Sequence, residues 1–516
     1  MNIYSEIVRS NINKLLNLYN LDPFSKTFGF GDRTYWAWKT IDFPNATFQG
    51  GVHALSNALT LNLVDNHEFI INIIDNVICA SKKIILKNGS VSEAFPNENS
   101  FCVTALMAFD MLSTIQNLEE KISENKKKKY LQIISPLINF ISKNNEEHAI
   151  ISNHLATGAA AIALWNKLSN DSNNRDKELL DIIFSHQSCE GWYKEYEGAD
   201  PGYQTLCTYY LASAYENTEY NELKESLIRS GKFLANFIHP DHTIGGVYGS
   251  RNTEIYYPGG VVALSNISDE FNLIANHLQK GIESGKNLMP IYIDANNYIP
   301  LINSYAVAAK NSKKIKDPVI KTFYSSEKEK IYESAGLHLK STKKYFSITN
   351  FKKSGAIKVF DLRTNKIDSE EGGIFGITKS GIKFSTQQFD QTQKFKKYEI
   401  NAKFYKINDS YPSTIQFIII RLMALTIFKS TKLGNLFKKA LVKMLMTGKK
   451  VIDGGAEIKF DFKNNNILIN DNLNEPKNTK IIGRFGKTKA IHMASSGYFT
   501  EQLKEKPLKS NIIIWE

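Results

Sequence analysis

Residues 150–168 read IISNHLATGAAAIALWNKL, and this stretch decides the fold class of the first half of the chain. Small residues recur in it at helical spacing, among them Ala156, Gly158 and Ala163. Their size lets neighbouring helices approach closely on several sides. The stretch therefore predicts an inner helix, enclosed by other helices.

Similar units, in which a polar or aromatic loop opens an apolar helix, occur on both sides of this helix. They read GSVSEAFPNENSFCVTALMAF (89–109), EGWYKEYEGADPGYQTLCTYYLA (190–212) and GGVYGSRNTEIYYPGGVVALS (245–265). Repeated loop-and-helix units indicate stacked helical hairpins. When such hairpins close into a ring, the loops that enter the inner helices meet at one mouth. We therefore expect residues 1–310 to form an (α/α) toroid, with any chemistry at that mouth.

Beyond about residue 330 the pattern changes to short aromatic and β-branched runs such as KKYFSITNF and GAIKVFDL. These runs predict an antiparallel, β-sandwich-like domain over residues 336–516. The polar, Lys-rich residues 311–335 are predicted to form a linker. Residues 412–448 interrupt the strands with a helical pattern, which predicts inserted basic amphipathic helices.

Charge is divided unevenly between the two parts. Residues 1–310 carry 25 Lys and Arg against 33 Asp and Glu, a net charge of −8, whereas residues 311–516 carry 39 against 19, a net charge of +20. A positive field of this size attracts polyanions, which include acidic glycans, anionic lipids and nucleic acids. Because the chain contains no recognisable nucleic-acid-reading module, we expect no nucleic-acid partner.

The N-terminal residues MNIYSEIVRSNINKLLNLYN form an amphipathic pattern without the apolar core of a secretory signal. We therefore expect a cytoplasmic protein, peripheral at the inner membrane. Cys79, Cys102, Cys189 and Cys207 show no metal-binding spacing and lie among apolar or aromatic neighbours. They are predicted to be buried free thiols, and no metal or other cofactor is expected.

One combination of residues carries a family resemblance. Asn153 and His154 open the small-residue helix, and residues 186–206 read HQSCEGWYKEYEGADPGYQTL. An Asn-His pair, followed by an acidic, Gly-containing loop and by Tyr203 at the head of the next inner helix, resembles the heparinase II/III and alginate lyase group. The resemblance covers roughly residues 140–215 and is architectural elsewhere.

The resemblance implies β-elimination at a uronic acid, in which the substrate carboxylate must be neutralised before the neighbouring proton can leave. It implies that Asn153 binds the carboxylate, that His154 neutralises it or abstracts the proton, and that Tyr203 acts as base or acid. A tyrosine base needs a cationic neighbour, for which Arg251 is the candidate.

The chain departs from the group at two places. It has Gln204 where the group has a histidine directly after the tyrosine. The catalytic histidine that the group carries in its β domain has only one candidate in this chain, His492 in AIHMASSGYF.

Other residues of the mouth loops are predicted to bind substrate: Trp36, Trp38, Trp192, Glu195, Tyr196, Glu254 and Tyr256. Structural alternatives stay open for several residues. Asn153 is also suited to capping its helix, and Asp200 to being a helix-start acid. His154 is also suited to being a hydrogen-bonded, partly buried histidine, and Tyr203 to closing the interior of the ring. The aromatic cluster around Trp36 and Trp38 is also suited to plugging the toroid.

These features favour a carbohydrate-active enzyme that cleaves an acidic surface polysaccharide, or its lipid-linked oligosaccharide precursor, by elimination. The rival function is a non-catalytic glycan-binding or assembly protein in surface polysaccharide biosynthesis. QSCEGW (187–192) also matches one repeat of squalene-cyclase-like toroids, but the chain has no DxDD or DDxxD acid cluster for that chemistry.

Residues 410–452 are apolar and basic at once, because no Asp or Glu occurs between Asp409 and Asp453. The apolar run IQFIIIRLMALTIF is too short to span a bilayer and is interrupted by Arg421. It predicts either an interfacial helix on an anionic membrane, through residues 412–450, or a helix packed on the β domain with its lysines in water.

Overall fold

The computed structural model describes residues 1–146, 149–407, 412–444, 448, 450–474 and 479–485. The first part of the chain is helical, and 3-10 or π turns connect some of its helices. The helices are α1 (Ile3–Leu16), α2 (Val52–Thr60), α3 (His67–Ala80), α4 (Phe101–Asn117), α5 (Glu124–Lys143), α6 (Ser152–Ser169), α7 (Arg175–His186), α8 (Pro201–Thr218), α9 (Asn221–Leu234), α10 (Pro258–Ala263), α11 (Asp269–Glu283) and α12 (Ala295–Asn311).

These helices form a closed ring of hairpins. The even-numbered helices from α2 to α12 contact one another in turn, and α12 contacts α2 to close the ring. The odd-numbered helices lie outside them. In α6, a Cβ atom on Gly158 would lie 3.0 Å from Leu179 and 3.2 Å from Phe101, so a larger residue there would require these side chains to move. The predicted (α/α) toroid is confirmed.

The second part of the chain is antiparallel β-structure. Its strands are β1 (Lys328–Tyr332), β2 (Leu337–Ser341), β3 (Tyr345–Asn350), β4 (Ala356–Asp361), β5 (Lys366–Glu371), β6 (Gly373–Thr378), β7 (Lys383–Ser385), β8 (Phe395–Lys396), β9 (Glu399–Lys406), β10 (Val451–Phe462), β11 (Ile467–Asn474) and β12 (Thr479–Phe485). One sheet has the order β1-β2-β3-β4-β5, and the other has β11-β10-β9-β7-β6-β12 with β8 beside β9.

The first sheet lies between the toroid and the second sheet. On β3, Phe346 and Ile348 pack into the core shared with the toroid, whereas Tyr345 packs into the core shared with the second sheet. This alternation follows from the two-residue period of a strand. The predicted β-sandwich-like domain is therefore confirmed. Strand β1 begins at Lys328, within residues 311–335, the stretch predicted to form a linker. The division of the chain into a toroid and a β domain that fold separately stays a prediction.

Two helices, α13 (Thr414–Leu425) and α14 (Thr431–Val442), are inserted between β9 and β10, as predicted. Together with the 3-10 turn Ile427–Lys429 between them they form the helical insertion. Its contacts contradict the alternative in which it packs on the β domain, because Ala424 and Phe428 pack on Phe95 of a toroid loop. No helix in the described part of the chain is long and apolar enough to cross a membrane.

All four cysteines are free thiols. Cys207 is buried, and Cys79 and Cys102 are half-buried. The prediction of a buried thiol is wrong for Cys189, which is exposed in the loop that follows α7.

Candidate functional site

The candidate site is built from three loops that open the inner helices α6, α8 and α10. At the first, the buried Glu195 carboxylate accepts hydrogen bonds from the backbone N–H of Asn153 (3.1 Å) and from its side-chain Nδ2 (2.8 Å). The helix begins at Ser152 and receives no side-chain cap from its own N-cap residue, Ile151. The capping alternative for Asn153 is therefore wrong, since Glu195 serves that helix terminus instead.

Burial raises the pKa of Glu195 to about 8, although the two hydrogen bonds from Asn153 favour the ionised form. A carboxyl group with such a pKa is largely protonated at neutral pH. Glu195 itself therefore adds little negative charge near the start of α6.

Asp200 joins the second loop to the third. Its Oδ1 accepts from the backbone N–H of Tyr203 (3.1 Å), which caps α8 as the helix-start alternative predicts. Its Oδ2 accepts from the backbone N–H of Arg251 (2.8 Å). One buried carboxylate thus fixes the backbone at both Tyr203 and Arg251.

Arg251 is 4% exposed, and its guanidinium carbon lies 4.1 Å from the centre of the Tyr196 ring. The Nε and Nη2 atoms are buried and have no hydrogen-bond partner among the described residues. Tyr196 has a φ of 60°, in the left-handed region that non-glycine residues rarely adopt. Unpaired buried donors and backbone strain both cluster at ligand sites.

Tyr196 lies at the centre of the group. Burial raises its pKa, Arg251 lowers it, and the nearby Tyr203, Glu146 and Glu195 raise it. Several residues that were predicted to be catalytic or substrate-binding therefore lie close together, and they come from all three loops.

His154 is paired with Glu146, whose Oε2 lies 2.7 Å from Nδ1 of the imidazole. The Glu146 carboxyl group is almost fully buried, whereas a fifth of the His154 side chain is exposed. A carboxylate at Nδ1 holds the proton on that nitrogen and leaves Nε2 as the basic atom. Pairing with Glu146 thus makes His154 suited to proton transfer.

The β domain holds the Arg251 loop in place through Lys353. Its Nζ donates to the backbone oxygens of Val247 (2.7 Å) and Gly249 (2.6 Å) and to the side chain of Asn252. Burial lowers the pKa of Lys353 to about 7, although the Asp200 carboxylate opposes that shift.

The other predicted substrate-binding residues lie elsewhere. Trp36 donates its indole N–H to the Leu18 oxygen (2.8 Å), and Trp38 is 73% exposed. Both belong to the π-helical turn Thr34–Trp38. This turn precedes Asp42 and Phe43, which contact Arg421 of the helical insertion. The plug alternative and the sugar-stacking prediction for the two tryptophans both stay predictions.

Three residues are buried at internal contacts. Trp192 donates to Glu190 (3.0 Å), whose carboxylate accepts from the backbone of Ser334 and Ala335. Oε1 of Glu254 lies 3.5 Å from Nζ of Lys358 in the β domain. Tyr256 is fully buried in the toroid core. The first two therefore connect the toroid to the β domain.

Gln204 faces away from the site, since its Nε2 donates to Ser230 of α9 (2.8 Å). The glutamine that replaces the lyase group's histidine is thus part of a contact between two helices. His492 lies outside the described residues.

Glu146 and Lys353 are not among the site residues predicted from the sequence. Neither residue lies in a motif that marks it: Glu146 is in a polar loop, and Lys353 is in the turn Phe351–Lys353. Only the fold brings them to the site. Among the described residues, no group of three or more His, Cys, Asp or Glu side chains could hold a metal ion.

Comparison with solved structures returns several toroid-containing proteins. Heparinase III matches with a TM-score of 0.48 and 10% identity over 90% of this chain and 70% of that chain. A chondroitin AC lyase from Streptomyces coelicolor A3 matches with a TM-score of 0.47 and 9% identity over 90% and 69%. A xanthan lyase from Paenibacillus matches with a TM-score of 0.44 and 9% identity over 90% of this chain.

This chain spans 46% of the xanthan lyase. At these identities the assignment of the fold rests on the helices and strands themselves. No family model matches the sequence, and no curated protein matches it. Heparinase III, a chondroitin AC lyase and a xanthan lyase are thus among the solved structures that match this chain.

Proposed function

We propose that the chain is a carbohydrate-active enzyme that cleaves a uronic acid-containing polysaccharide by β-elimination at the Arg251 cluster. The observation that carries this proposal is the buried Arg251 guanidinium, in which Nε and Nη2 lack partners among the described residues. Leaving such donors unpaired is costly, and a carboxylate accepts from an arginine through two parallel hydrogen bonds. A uronate carboxylate would supply both missing acceptors.

The bound carboxylate makes the reaction possible. With its charge neutralised by Arg251, the proton on the adjacent carbon becomes acidic enough for a side chain to remove. The electron pair of that C–H bond forms the new double bond while the glycosidic C–O bond breaks. The leaving oxygen takes up a proton.

His154 and Tyr203 supply the two proton transfers. Nε2 of His154 is the basic nitrogen when Glu146 holds Nδ1, so His154 accepts the proton. The Tyr203 hydroxyl, on a residue fixed by Asp200, donates to the leaving oxygen. Asn153, held by Glu195, orients the carboxylate beside Arg251. The natural substrate in this proposal is an acidic surface polysaccharide or its lipid-linked precursor.

A screen of acidic glycans for the ultraviolet absorbance of an unsaturated uronate tests the reaction class. Arg251→Gln should abolish both turnover and glycan binding, because it removes the cation that pairs with the carboxylate. Arg363→Gln is the matched control, since Arg363 is an exposed arginine of the β domain that pairs with Asp361. If Arg251→Gln cleaves an acidic glycan as fast as the unaltered protein, Arg251 does not neutralise the carboxylate.

The second candidate, a non-catalytic glycan-binding or assembly protein, is supported by Gln204, which stands where the lyase group has a histidine and donates to Ser230 instead of facing the site. It predicts glycan binding that depends on Arg251 but no absorbance change with any acidic glycan. Binding and absorbance measured on the same preparation separate the two candidates.

A further inference from the structure

The helical insertion has two unlike faces. Its inner face packs on toroid loops: the Phe428 ring lies 5.0 Å from the Phe95 ring, and Asn97 Nδ2 donates to the Ala424 oxygen (2.9 Å). Asn99 Nδ2 donates to the Phe428 oxygen (3.1 Å). The insertion is thus fixed on a loop that opens inner helix α4, at the mouth of the toroid.

Ion pairs strengthen this attachment. Nζ of Lys438 lies 2.9 Å from Glu98 Oε1, and Nε of Arg421 lies 3.0 Å from Asp42 Oδ2. Burial opposes the charge on Lys438, yet the Glu98 carboxylate raises the pKa of this lysine above its usual range. These two cations therefore face the toroid.

The outer face is apolar and exposed. Ten of the 21 exposed large apolar side chains in the described residues lie between Ile415 and Met444. Leu422 and Leu436 are 59% and 65% exposed. Soluble proteins rarely expose so many apolar side chains in one region unless a partner covers them.

The same helices carry exposed lysines, among them Lys429, Lys432 and Lys443, and no acidic residue between Asp409 and Asp453. This charge argues against a second copy of the chain as the partner, because a symmetric contact would place these lysines against one another. A partner surface that is anionic outside and apolar beneath matches both the exposed lysines and the exposed apolar side chains of the insertion.

The geometry points to the outer face of the helical insertion as a docking surface for an anionic lipid bilayer. Its leucines and isoleucines enter the boundary between headgroups and acyl chains, while its lysines pair with lipid phosphates. Neither helix spans the bilayer. Docking of this kind holds the toroid mouth at the membrane surface, and it does not depend on whether the Arg251 cluster is catalytic.

Flotation of the full chain with vesicles tests this inference. Equimolar phosphatidylcholine and phosphatidylglycerol vesicles should carry the protein upward at low salt, and binding should weaken in high salt and with phosphatidylcholine alone. Lys432→Glu with Lys443→Glu should weaken binding about thirtyfold or more. The matched control, Lys379→Glu with Lys396→Glu, changes two exposed lysines of the β domain and should leave binding unchanged.

The apolar contribution is tested separately. Leu422→Gln with Leu436→Gln should weaken binding at least about tenfold. Ile291→Gln with Tyr292→Gln, on two side chains that are also half-exposed, is the control and should have no effect. Circular dichroism should show the same helix content in every variant.

Three results would overturn the inference. The first is an unaltered protein that stays soluble with the anionic vesicles at low salt. The second is equal loss of binding in the test and control variants. The third is a dimer in solution that the Leu422 and Leu436 double variant converts to a monomer, which would assign the face to a second copy.

Discussion

At Arg251 a charged side chain is buried, and two of its nitrogen atoms have no hydrogen-bond partner among the described residues, whereas at Leu422 an apolar side chain is exposed to solvent. Both belong to regions at the mouth of the toroid. Charged side chains are usually exposed and apolar side chains are usually buried, and these two residues reverse that rule. An acidic ligand would pair the buried charge of Arg251, and an apolar surface would cover Leu422.

The supports of the two regions differ as well. Lys353 from the β domain and Asp200 from the toroid hold the Arg251 loop on two sides. Among the described residues, the contacts that hold the insertion lie on its inner face and include Phe428, Asn97 and Lys438. The comparison indicates that the Arg251 cluster is built for fixed geometry and that the insertion is built to present a surface.

The largest expected effect is on turnover by Tyr203→Phe, if the Arg251 cluster is catalytic. The variant removes one hydroxyl and should lower the rate of elimination at least about a hundredfold, because a proton-transfer group is lost. Thermal unfolding should be unchanged. Tyr215→Phe, a half-buried tyrosine further along α8, is the control. Full activity in Tyr203→Phe would remove this residue from the mechanism.

Much of the fold could be predicted because its signals are local. The small residues of α6 and the two-residue alternation of β3 are visible in short windows of sequence. Their periods distinguish helix from strand. The toroid, the sandwich and the inserted helices follow from such patterns.

The site could be predicted only in part. Asn153, Tyr203 and Arg251 belong to repeated loop-and-helix units, whose loops meet at one mouth. Glu146 and Lys353 join them through contacts between segments distant in sequence, and no local pattern reports such contacts. Trp192 and Glu254 stay predicted substrate-binding residues, and no local pattern revealed their part in connecting the toroid to the β domain.

Lys353→Met sharpens the comparison by removing the support of the Arg251 loop while keeping the length of the side chain. We expect a loss of about 3 kcal/mol in the free energy of unfolding, since buried carbonyl oxygens lose their donor and Asp200 loses a nearby cation. Denaturant titration measures it. Lys343→Met, at a largely exposed lysine, should change stability by less than about 0.5 kcal/mol. Equal stabilities would show that Lys353 does not support the loop.

The pH dependence of stability should report Glu195. Its pKa of about 8 lies above the ordinary value of 4.5, so the folded state binds the proton more tightly than the unfolded state. The stabilising contribution is complete below about pH 4.5 and is lost as the pH rises through about 8. In Glu195→Gln, the free energy of unfolding should fall less steeply over this pH range, by about 1 kcal/mol per pH unit. Parallel curves for the two proteins would contradict a buried, protonated Glu195.

The smallest effect is expected on the outer face of the insertion. Leu422→Ala should change the free energy of unfolding by less than about 0.5 kcal/mol, because its side chain already lies in solvent in the folded protein. Phe428→Ala, on the inner face, should cost about 3 kcal/mol through the cavity that it leaves beside Phe95. Denaturant titration of both variants, without lipid, compares the two faces directly. A large loss in Leu422→Ala would mean that another part of the chain covers this face, and the contrast between buried charge and exposed apolar surface would then hold only for Arg251.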